Sequence, residues 1–154
     1  ADEFREASEG WLEEGLRAIG RYAEQQSVRI ALEAINRYET AYVNTVAQGL
    51  DLMERVGSGA IGLLLDTFHM NIEEPSITES IRICGDRIYH FHVADSNRWY
   101  PGAGHIDFAA ILKTLNEIGY RGYVSGEFLP LPDGPTSIRE GITCLRKLMD
   151  DLGL

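Results

Sequence analysis

The chain has 154 residues, of which 44% are hydrophobic, 25% charged and 9% aromatic, a composition that is typical of a globular domain and excludes disordered and fibrous proteins. Its 24 acidic and 14 basic residues give a formal net charge of −10 at pH 7, and no run of lysine or arginine interrupts this balance. A surface of this charge repels phosphate backbones and anionic lipids, so we expect neither a nucleic acid nor a membrane partner.

The first predicted element is a helix over about 2–25. Its apolar residues recur at steps of one, three and four, which is the spacing of one helical face. These residues are Trp11, Leu12, Leu16, Ile19 and Tyr22. An alternating segment follows at 27–35, where successive side chains would lie on opposite sides of a strand.

The rest of the chain predicts a strand followed by a helix, four times over. The predicted strands cover 27–35, 61–67, 88–93 and 122–128. The predicted helices cover about 41–56, 76–84, 108–118 and 135–152, and 69–75 is predicted to be a loop. Such alternation is typical of parallel strands joined by right-handed crossovers. Because no linker interrupts the pattern, we predict a single domain over 1–154, with a leading helix at 1–25 and four βα units at 27–154.

Four βα units suit either an open doubly wound sheet or part of a (β/α)₈ barrel. An open sheet of the dinucleotide-binding type carries a Gly-x-Gly-x-x-Gly loop after its first strand, and this sequence has none there. A complete barrel needs about 250 residues. The pattern therefore predicts an α/β fold and, if the fold is a barrel, only half of one.

Two further features indicate the compartment. Cys84 and Cys144 stand far apart and form neither a disulfide framework nor a Cys-x-x-Cys clip, which fits a reducing environment. The first ten residues are polar and acidic, unlike a signal peptide, and no apolar stretch approaches the roughly 20 residues of a membrane span. We therefore expect a cytoplasmic protein.

Each predicted strand carries one ionisable residue near its C-terminal end. These are Glu33, Asp66, His92 and Glu127. They are 33, 26 and 35 residues apart, about one βα unit each, and their neighbours along the strands are mostly apolar. The four side chains should therefore share the inner side of one sheet, where three carboxylates would repel one another without a cation. Oxygen-rich ligation with one nitrogen suits Mn²⁺ or Mg²⁺, with Co²⁺ also acceptable and zinc less favoured.

Other roles are open at several of these positions. Asp66 follows a leucine run and could simply cap the next turn. His90 shares a face with His92 but lies one step deeper, which is more typical of a hydrogen-bonded core histidine than of a ligand. His105 lies in a loop rich in glycine and is expected to be solvated.

Four sequence strings contain these residues. They are LEAINRYE at 32–39, LDTFHMNIEE at 65–74, HFHVADSNRWYPGAGHIDF at 90–108 and GEF at 126–128. At these strings the chain resembles the sugar isomerase/epimerase family with a xylose-isomerase-like barrel, and within it the ketose 3-epimerases that act on D-tagatose or D-psicose. The likeness covers nearly the whole chain but only the C-terminal half of such an enzyme. It therefore implies four parallel βα units that form the C-terminal half of a (β/α)₈ TIM barrel, preceded by one helix.

The resemblance also implies a role for individual residues. The implied metal ligands are Glu33, Asp66, His92 and Glu127. Glu33 and Glu127 would also be the catalytic acid and base, and the implied sugar-binding residues are Glu39, His69 and Arg98. The family's metal is commonly manganese, with cobalt or magnesium accepted. The implied reaction epimerises a ketose next to its carbonyl through an enediolate, with one glutamate removing a proton and the other returning one to the opposite face.

The resemblance leaves the assembly and the exact activity open. A half-barrel exposes two sheet edges, so we expect a homodimer or pairing with a missing N-terminal half. An alternative is a catalytically incomplete half-barrel, truncated or dependent on assembly, that binds metal or sugar without turnover. Isomerases of sugar phosphates or keto acids are further alternatives within the superfamily, whereas the charge of −10 argues against the related metal-dependent nucleases.

Overall fold

The fold was analysed in a computed structural model, which describes residues 2–154 and, for side chains, residues 7–154. A long helix precedes four parallel strands that alternate with helices. The strands are β1 (Ile30–Glu33), β2 (Ile61–Asp66), β3 (Ile88–Val93) and β4 (Val124–Gly126). The helices are α1 (Asp2–Gln26), α2 (Val46–Val56), α3 (Thr67–Glu73), α4 (Ile77–Cys84), α5 (Phe108–Glu117) and α6 (Gly134–Leu152). This order confirms the predicted succession of βα units.

The four strands lie in the sheet in their order along the chain, β1-β2-β3-β4, and every adjacent pair is parallel. A doubly wound sheet reverses its strand order at a switch point, and this sheet has no such reversal. The order is instead that of a barrel wall. The register aligns Asp66 with His92 and His92 with Ser125, so the C-terminal ends of the strands meet at one edge.

The hydrophobic core lies between the outer face of the sheet and the helices. Leu63 and Leu65 of β2 and Phe91 and Val93 of β3 are almost completely buried there. Burial of each such side chain contributes about 1.5–3 kcal/mol. Because alternate residues on a strand point to opposite faces, this packing directs Asp66 and His92 to the inner face.

The loop predicted at 69–75 is wrong, because α3 occupies most of it. Asp66 begins this helix by accepting a hydrogen bond from the Phe68 backbone N–H at 2.7 Å. The helix predicted from residue 41 begins later, at Val46, because Thr45 and Gln48 form a capping box there. β1 and β4 are shorter than predicted and pair over only four and three residues.

The predicted apolar face of α1 is only partly buried. Leu16 is buried, whereas Trp11, Ile19 and Tyr22 are 65%, 51% and 65% exposed. The helix packs mainly against α2, and it joins the core through a narrower stripe than its periodicity predicts. Among the described residues, no helix is long and apolar enough to cross a membrane.

Candidate metal centre

Acidic and histidine side chains converge at the C-terminal edge of the sheet. Glu33 ends β1, Asp66 ends β2, and Glu127 directly follows β4. Together with His69 from α3, these residues offer ligand atoms that all lie within 4.8 Å of one another. The structure thus contains a group of carboxylates and histidine that could hold a divalent metal ion.

His92 of β3 also faces this group. Its Nδ1 lies 3.6 Å from Glu127 Oε2 and 3.9 Å from Asp66 Oδ2. The structure thus brings all four side chains of the predicted ligand set to the same edge of the sheet. His69 adds a second imidazole, for which the sequence predicted a sugar-binding role instead.

Three atoms of the cluster are buried without a hydrogen-bond partner among the described residues. They are Glu33 Oε1, Asp66 Oδ2 and His92 Nδ1. Leaving a buried polar atom unsatisfied costs about 1–3 kcal/mol, so such atoms are rare in proteins and rarely occur side by side. Two carboxylate oxygens and one imidazole nitrogen are also the donors that a divalent cation such as Mn²⁺ accepts, and the residues therefore fit a metal ion.

Asp66 both caps a helix and faces the cluster. Its Oδ1 accepts the hydrogen bond from Phe68 that begins α3, while its Oδ2 has no partner among the described residues. The side chain is completely buried. Burial raises the pKa of Asp66 to about 7, although the Arg98 guanidinium and the Phe68 N–H act in the opposite direction. Helix capping and a role in the cluster are therefore compatible in one side chain.

Glu33 ends β1 and Glu127 follows β4, the two outer strands of the sheet, and the pKa values of the two glutamates are shifted in opposite directions. Burial, and then the charge of Glu127, raise the pKa of Glu33. Burial alone would also raise the pKa of Glu127, but its contacts with Asp66 and with Arg98 lower it overall. Two carboxylates whose pKa values are pushed apart are a frequent feature of acid–base sites.

The two histidines of the cluster have different surroundings. His69 is buried, and its Nδ1 lies 2.8 Å from the side-chain amide nitrogen of Asn36. His92 is half-buried, and its Nδ1 faces the carboxylates without a hydrogen bond. Burial lowers the pKa of both side chains, which favours the neutral imidazole. A neutral imidazole is the form that binds metals.

Of the three residues with an implied sugar-binding role, His69 belongs to the cluster, Arg98 contacts it, and Glu39 is linked to it through Asn36. Arg98 donates a hydrogen bond to Glu127, and its Nη1 lies 3.6 Å from Asp66 Oδ2. The same guanidinium lies over the Phe68 ring, 4.7 Å from its centroid. Glu39 accepts a hydrogen bond of 2.7 Å from the Asn36 amide. Among the described residues, Arg98 is thus the positively charged side chain that contacts these carboxylates.

Sequence reasoning missed one residue of the site, Asn36. It lies within LEAINRYE, between the predicted strand and the predicted helix, but its side chain is buried and contacts both Glu39 and His69. The available signal was its position, three residues after Glu33 and three before Glu39. His90 and His105 instead hydrogen-bond to Ser125 and Ser96, and neither belongs to the cluster.

A wall of parallel βα units with acidic and histidine side chains at its C-terminal edge is the arrangement of TIM-barrel proteins, which place their active sites there. Residues 1–148 match the family described as a xylose isomerase-like TIM barrel, and the chain belongs to that family. This match confirms the resemblance found in the sequence.

Similar proteins of known activity include sugar epimerases. The chain is 36% identical over 137 residues to D-psicose 3-epimerase from Enterocloster bolteae, an alignment that covers 89% of this chain and 45% of that protein. The crystal structure of 3-keto-D-glucoside 4-epimerase from Escherichia coli superposes with a TM-score of 0.86 at 28% identity, over 90% of this chain and 53% of that one. D-psicose 3-epimerase from Clostridium cellulolyticum, solved with D-tagatose, gives a TM-score of 0.81 at 32% identity, over 88% and 53%.

The chain spans about half the length of the relatives that it matches. The superpositions confirm that its four parallel strands and their helices form part of a TIM barrel.

Proposed function

We propose that the chain carries the metal-binding and proton-transferring side of a ketose epimerase, acting at the carbon next to the sugar carbonyl. The observation that carries this proposal is the convergence of three buried atoms that make no hydrogen bond among the described residues, from Glu33, Asp66 and His92, beside Glu127. The similarity to D-psicose 3-epimerases supports the substrate class.

In this proposal Glu33, Asp66, His92 and Glu127 hold one divalent cation, for which we favour Mn²⁺ over Mg²⁺ and Co²⁺. His92 is favoured over His69 as the nitrogen ligand because its Nδ1 faces the carboxylates without a hydrogen bond, whereas Nε2 of His69, the nitrogen on the side of the site, lies 3.4 Å from the donor Nη1 of Arg98. A cation at this point would offset the repulsion between the carboxylates and polarise the substrate carbonyl.

Proton transfer is assigned to Glu33 and Glu127. Inverting a carbon beside a ketone requires one base to remove its proton and an acid to return a proton to the opposite face of the planar enediolate. The two glutamates follow opposite outer strands of the sheet and so approach the site from different sides. In the metal-free chain the pKa of Glu33 is raised, mainly by burial, and that of Glu127 is lowered by its contacts with Asp66 and Arg98.

Substrate binding is assigned to Glu39, His69 and Arg98. Arg98 can donate charge-assisted hydrogen bonds to the carbonyl-end oxygen that gains negative charge. The side chain of Glu39 can accept hydrogen bonds from sugar hydroxyls through the oxygen that Asn36 leaves free. These three side chains would orient the sugar with the reacting carbon between the two glutamates.

Turnover is proposed for a closed barrel. The chain contributes a four-stranded wall in which one side of β1 and one side of β4 are unpaired among the described residues. Val124 at the β4 edge and Val28 just before β1 are exposed apolar side chains, so further strands would have apolar surface to cover. The further strands would come from a second copy of the chain or from a separate N-terminal half.

Metal binding is the first test. Titration calorimetry of the chain with Mn²⁺ should show one ion per chain, and His92→Gln should weaken the affinity at least about tenfold because one ligand is lost. His90→Gln is the matched control, since His90 lies next to His92 with its ring 4.9 Å away but is bonded to Ser125. Equal affinities for the two variants, or no binding by the wild type, would refute the metal site.

Proton exchange is the second test. In D₂O the assembled protein should incorporate deuterium at C3 of D-psicose or D-fructose, and Glu33→Gln or Glu127→Gln should abolish this exchange. Exchange retained in both variants would refute their roles. Stoichiometric Mn²⁺ binding without exchange on any ketose would instead support the alternative, a half-barrel that binds metal or sugar without turnover. Exchange only with a sugar phosphate or a keto acid would show that the substrate belongs to that class and is not a free ketose.

A further inference from the structure

We propose that Asn36 is a positioning residue, whose single buried amide fixes the tautomer of His69 so that Nε2–H faces the site. This inference rests on the proposed function for its consequence in catalysis. The tautomer itself follows from the hydrogen bonds of the described residues and does not depend on any activity.

The orientation of the Asn36 amide is fixed by its neighbours. The side chain is only 1% exposed, and its Nδ2 donates to Glu39 Oε1 at 2.7 Å and lies 2.8 Å from His69 Nδ1. Its Oδ1 accepts a hydrogen bond from the Tyr38 backbone N–H at 3.0 Å. Exchanging the oxygen and nitrogen would place the carbonyl oxygen against the Glu39 carboxylate and the NH₂ group against the Tyr38 N–H. Both contacts would be repulsive, so the NH₂ group faces His69.

This orientation determines which nitrogen of His69 carries the proton. Because an amide NH₂ can only donate, His69 Nδ1 must accept, and the proton of the neutral ring resides on Nε2. Arg98 Nη1, which also can only donate, lies 3.4 Å from Nε2. A neutral imidazole has one acceptor nitrogen and cannot satisfy both donors. The shorter contact with Asn36 prevails.

The protonated Nε2 lies 3.7 Å from Glu33 Oε1, so His69 presents a hydrogen-bond donor to the centre of the site. A nitrogen that carries a proton has no lone pair for a metal ion. The tautomer thus makes His69 Nε2–H available to a substrate oxygen rather than to a metal ion. Asn36 would act through His69 and, by its second hydrogen bond, through Glu39.

The tautomer can be measured directly, because the chain contains only four histidines. In the metal-free chain labelled with ¹⁵N-histidine, long-range ¹H–¹⁵N spectra distinguish protonated from unprotonated ring nitrogens, and His69→Gln assigns the His69 signals. We expect an unprotonated Nδ1 and a protonated Nε2. A protonated Nδ1 in the wild-type chain would overturn the proposal, whether or not the protein is an epimerase.

Two variants test the cause. Asn36→Asp replaces the donor with a carboxylate, which should shift the proton of His69 to Nδ1. Asn44→Ala is the matched control, because the Asn44 amide bonds to Ile35 and Thr40 in the same loop but does not contact His69 in the structure. It should leave the His69 signals unchanged. An unchanged pattern in Asn36→Asp, or an equal change in Asn44→Ala, would contradict the assignment. If Asn36→Asp does not fold, Asn36→Ala replaces it, because it removes the donor to Nδ1 and leaves Arg98 as the donor to Nε2, so that the proton should again move to Nδ1.

A kinetic measurement tests the consequence. In an assembled, active epimerase, Asn36→Ala should lower kcat about 10–100-fold, the range for residues that orient functional side chains. The affinity for Mn²⁺ should change no more in Asn36→Ala than in Asn44→Ala, because Asn36 is not a ligand. If kcat does not change, the positioning role is wrong. If the wild type has no activity, the proposed function fails while the NMR result still decides the tautomer.

Discussion

Asp66 and Asp95 are both completely buried and both lie at the C-terminal side of a strand, yet their surroundings differ. Asp95 Oδ1 accepts backbone hydrogen bonds from Ser96 and Ile106, at 2.8 and 3.1 Å, and its Oδ2 accepts one from Gly102 at 2.9 Å. Asp66 accepts one from Phe68 through Oδ1, whereas its Oδ2 makes no hydrogen bond among the described residues and lies 3.6 Å from Arg98 Nη1. The carboxylate of Asp95 organises a loop, and that of Asp66 has one oxygen without a hydrogen bond.

The pKa values of the two carboxyls follow this difference. Burial alone would raise the pKa of Asp95, but its backbone hydrogen bonds outweigh that effect and lower it. Asp66 is more strongly desolvated and accepts fewer hydrogen bonds, and its pKa is raised to about 7. The depth of burial and the number of donors that reach the carboxylate therefore act together to separate the two residues.

The largest effect that we predict is at Asp95. Asp95→Ala leaves three backbone N–H groups of the 95–106 loop without their acceptor, and we expect the free energy of unfolding to fall by about 3–5 kcal/mol. Urea denaturation measures the change. Asp95→Asn, which keeps one acceptor oxygen, should lose less. If Asp95→Ala lowers the free energy of unfolding by less than about 1 kcal/mol, the size of one ordinary hydrogen bond, the three hydrogen bonds to Asp95 do not distinguish it from Asp66.

The second prediction is an increase in the free energy of unfolding. Asp66→Asn keeps an oxygen to cap α3 but removes the charge, so we expect the metal-free protein to become more stable by about 1–3 kcal/mol at pH 8. The folded chain holds the Asp66 proton up to about pH 7, whereas the unfolded chain releases it above about pH 4. The stability contributed by Asp66 in the wild type therefore falls as the pH rises from 4 to 7 and then stays constant.

Urea midpoints of the wild type and Asp66→Asn, measured with a chelator at pH 4 and pH 8, test this sign. The two urea midpoints should be nearly equal at pH 4 and should differ by pH 8. In a separate titration without chelator, Asp66→Asn should bind Mn²⁺ more weakly than the wild type. Asp66→Ala is the control, because it also removes the helix cap and should forfeit about 1 kcal/mol of the gain. A wild type that is more stable than Asp66→Asn at pH 8 without metal would contradict the prediction.

The contrast also explains how far the sequence could predict the site. Parallel strands and alternating side chains were enough to place Asp66 and His92 at one edge, because strand parity and βα order determine both. The helix α3 was missed, since its cap is the same Asp66 that was considered as a ligand. Asn36 was missed because its role depends on two partners, one of them 33 residues away, that only the folded chain brings together. Hydrogen-bond satisfaction, which separates Asp66 from Asp95, is likewise a property of the folded chain.

The smallest predicted effect concerns a polar pair one step below the cluster on the inner face. His90 Nε2 and Ser125 Oγ are 2.6 Å apart, so this histidine, like Asp95, has a hydrogen-bond partner. Ser125→Ala should therefore lower the free energy of unfolding by about 1 kcal/mol, the worth of one hydrogen bond, and leave the affinity for Mn²⁺ unchanged. Denaturation and calorimetry on the same preparation measure both quantities. A tenfold loss of metal affinity, the size expected for a residue that orients a ligand, would mean that His90 supports His92 and that the site extends one layer deeper into the barrel wall.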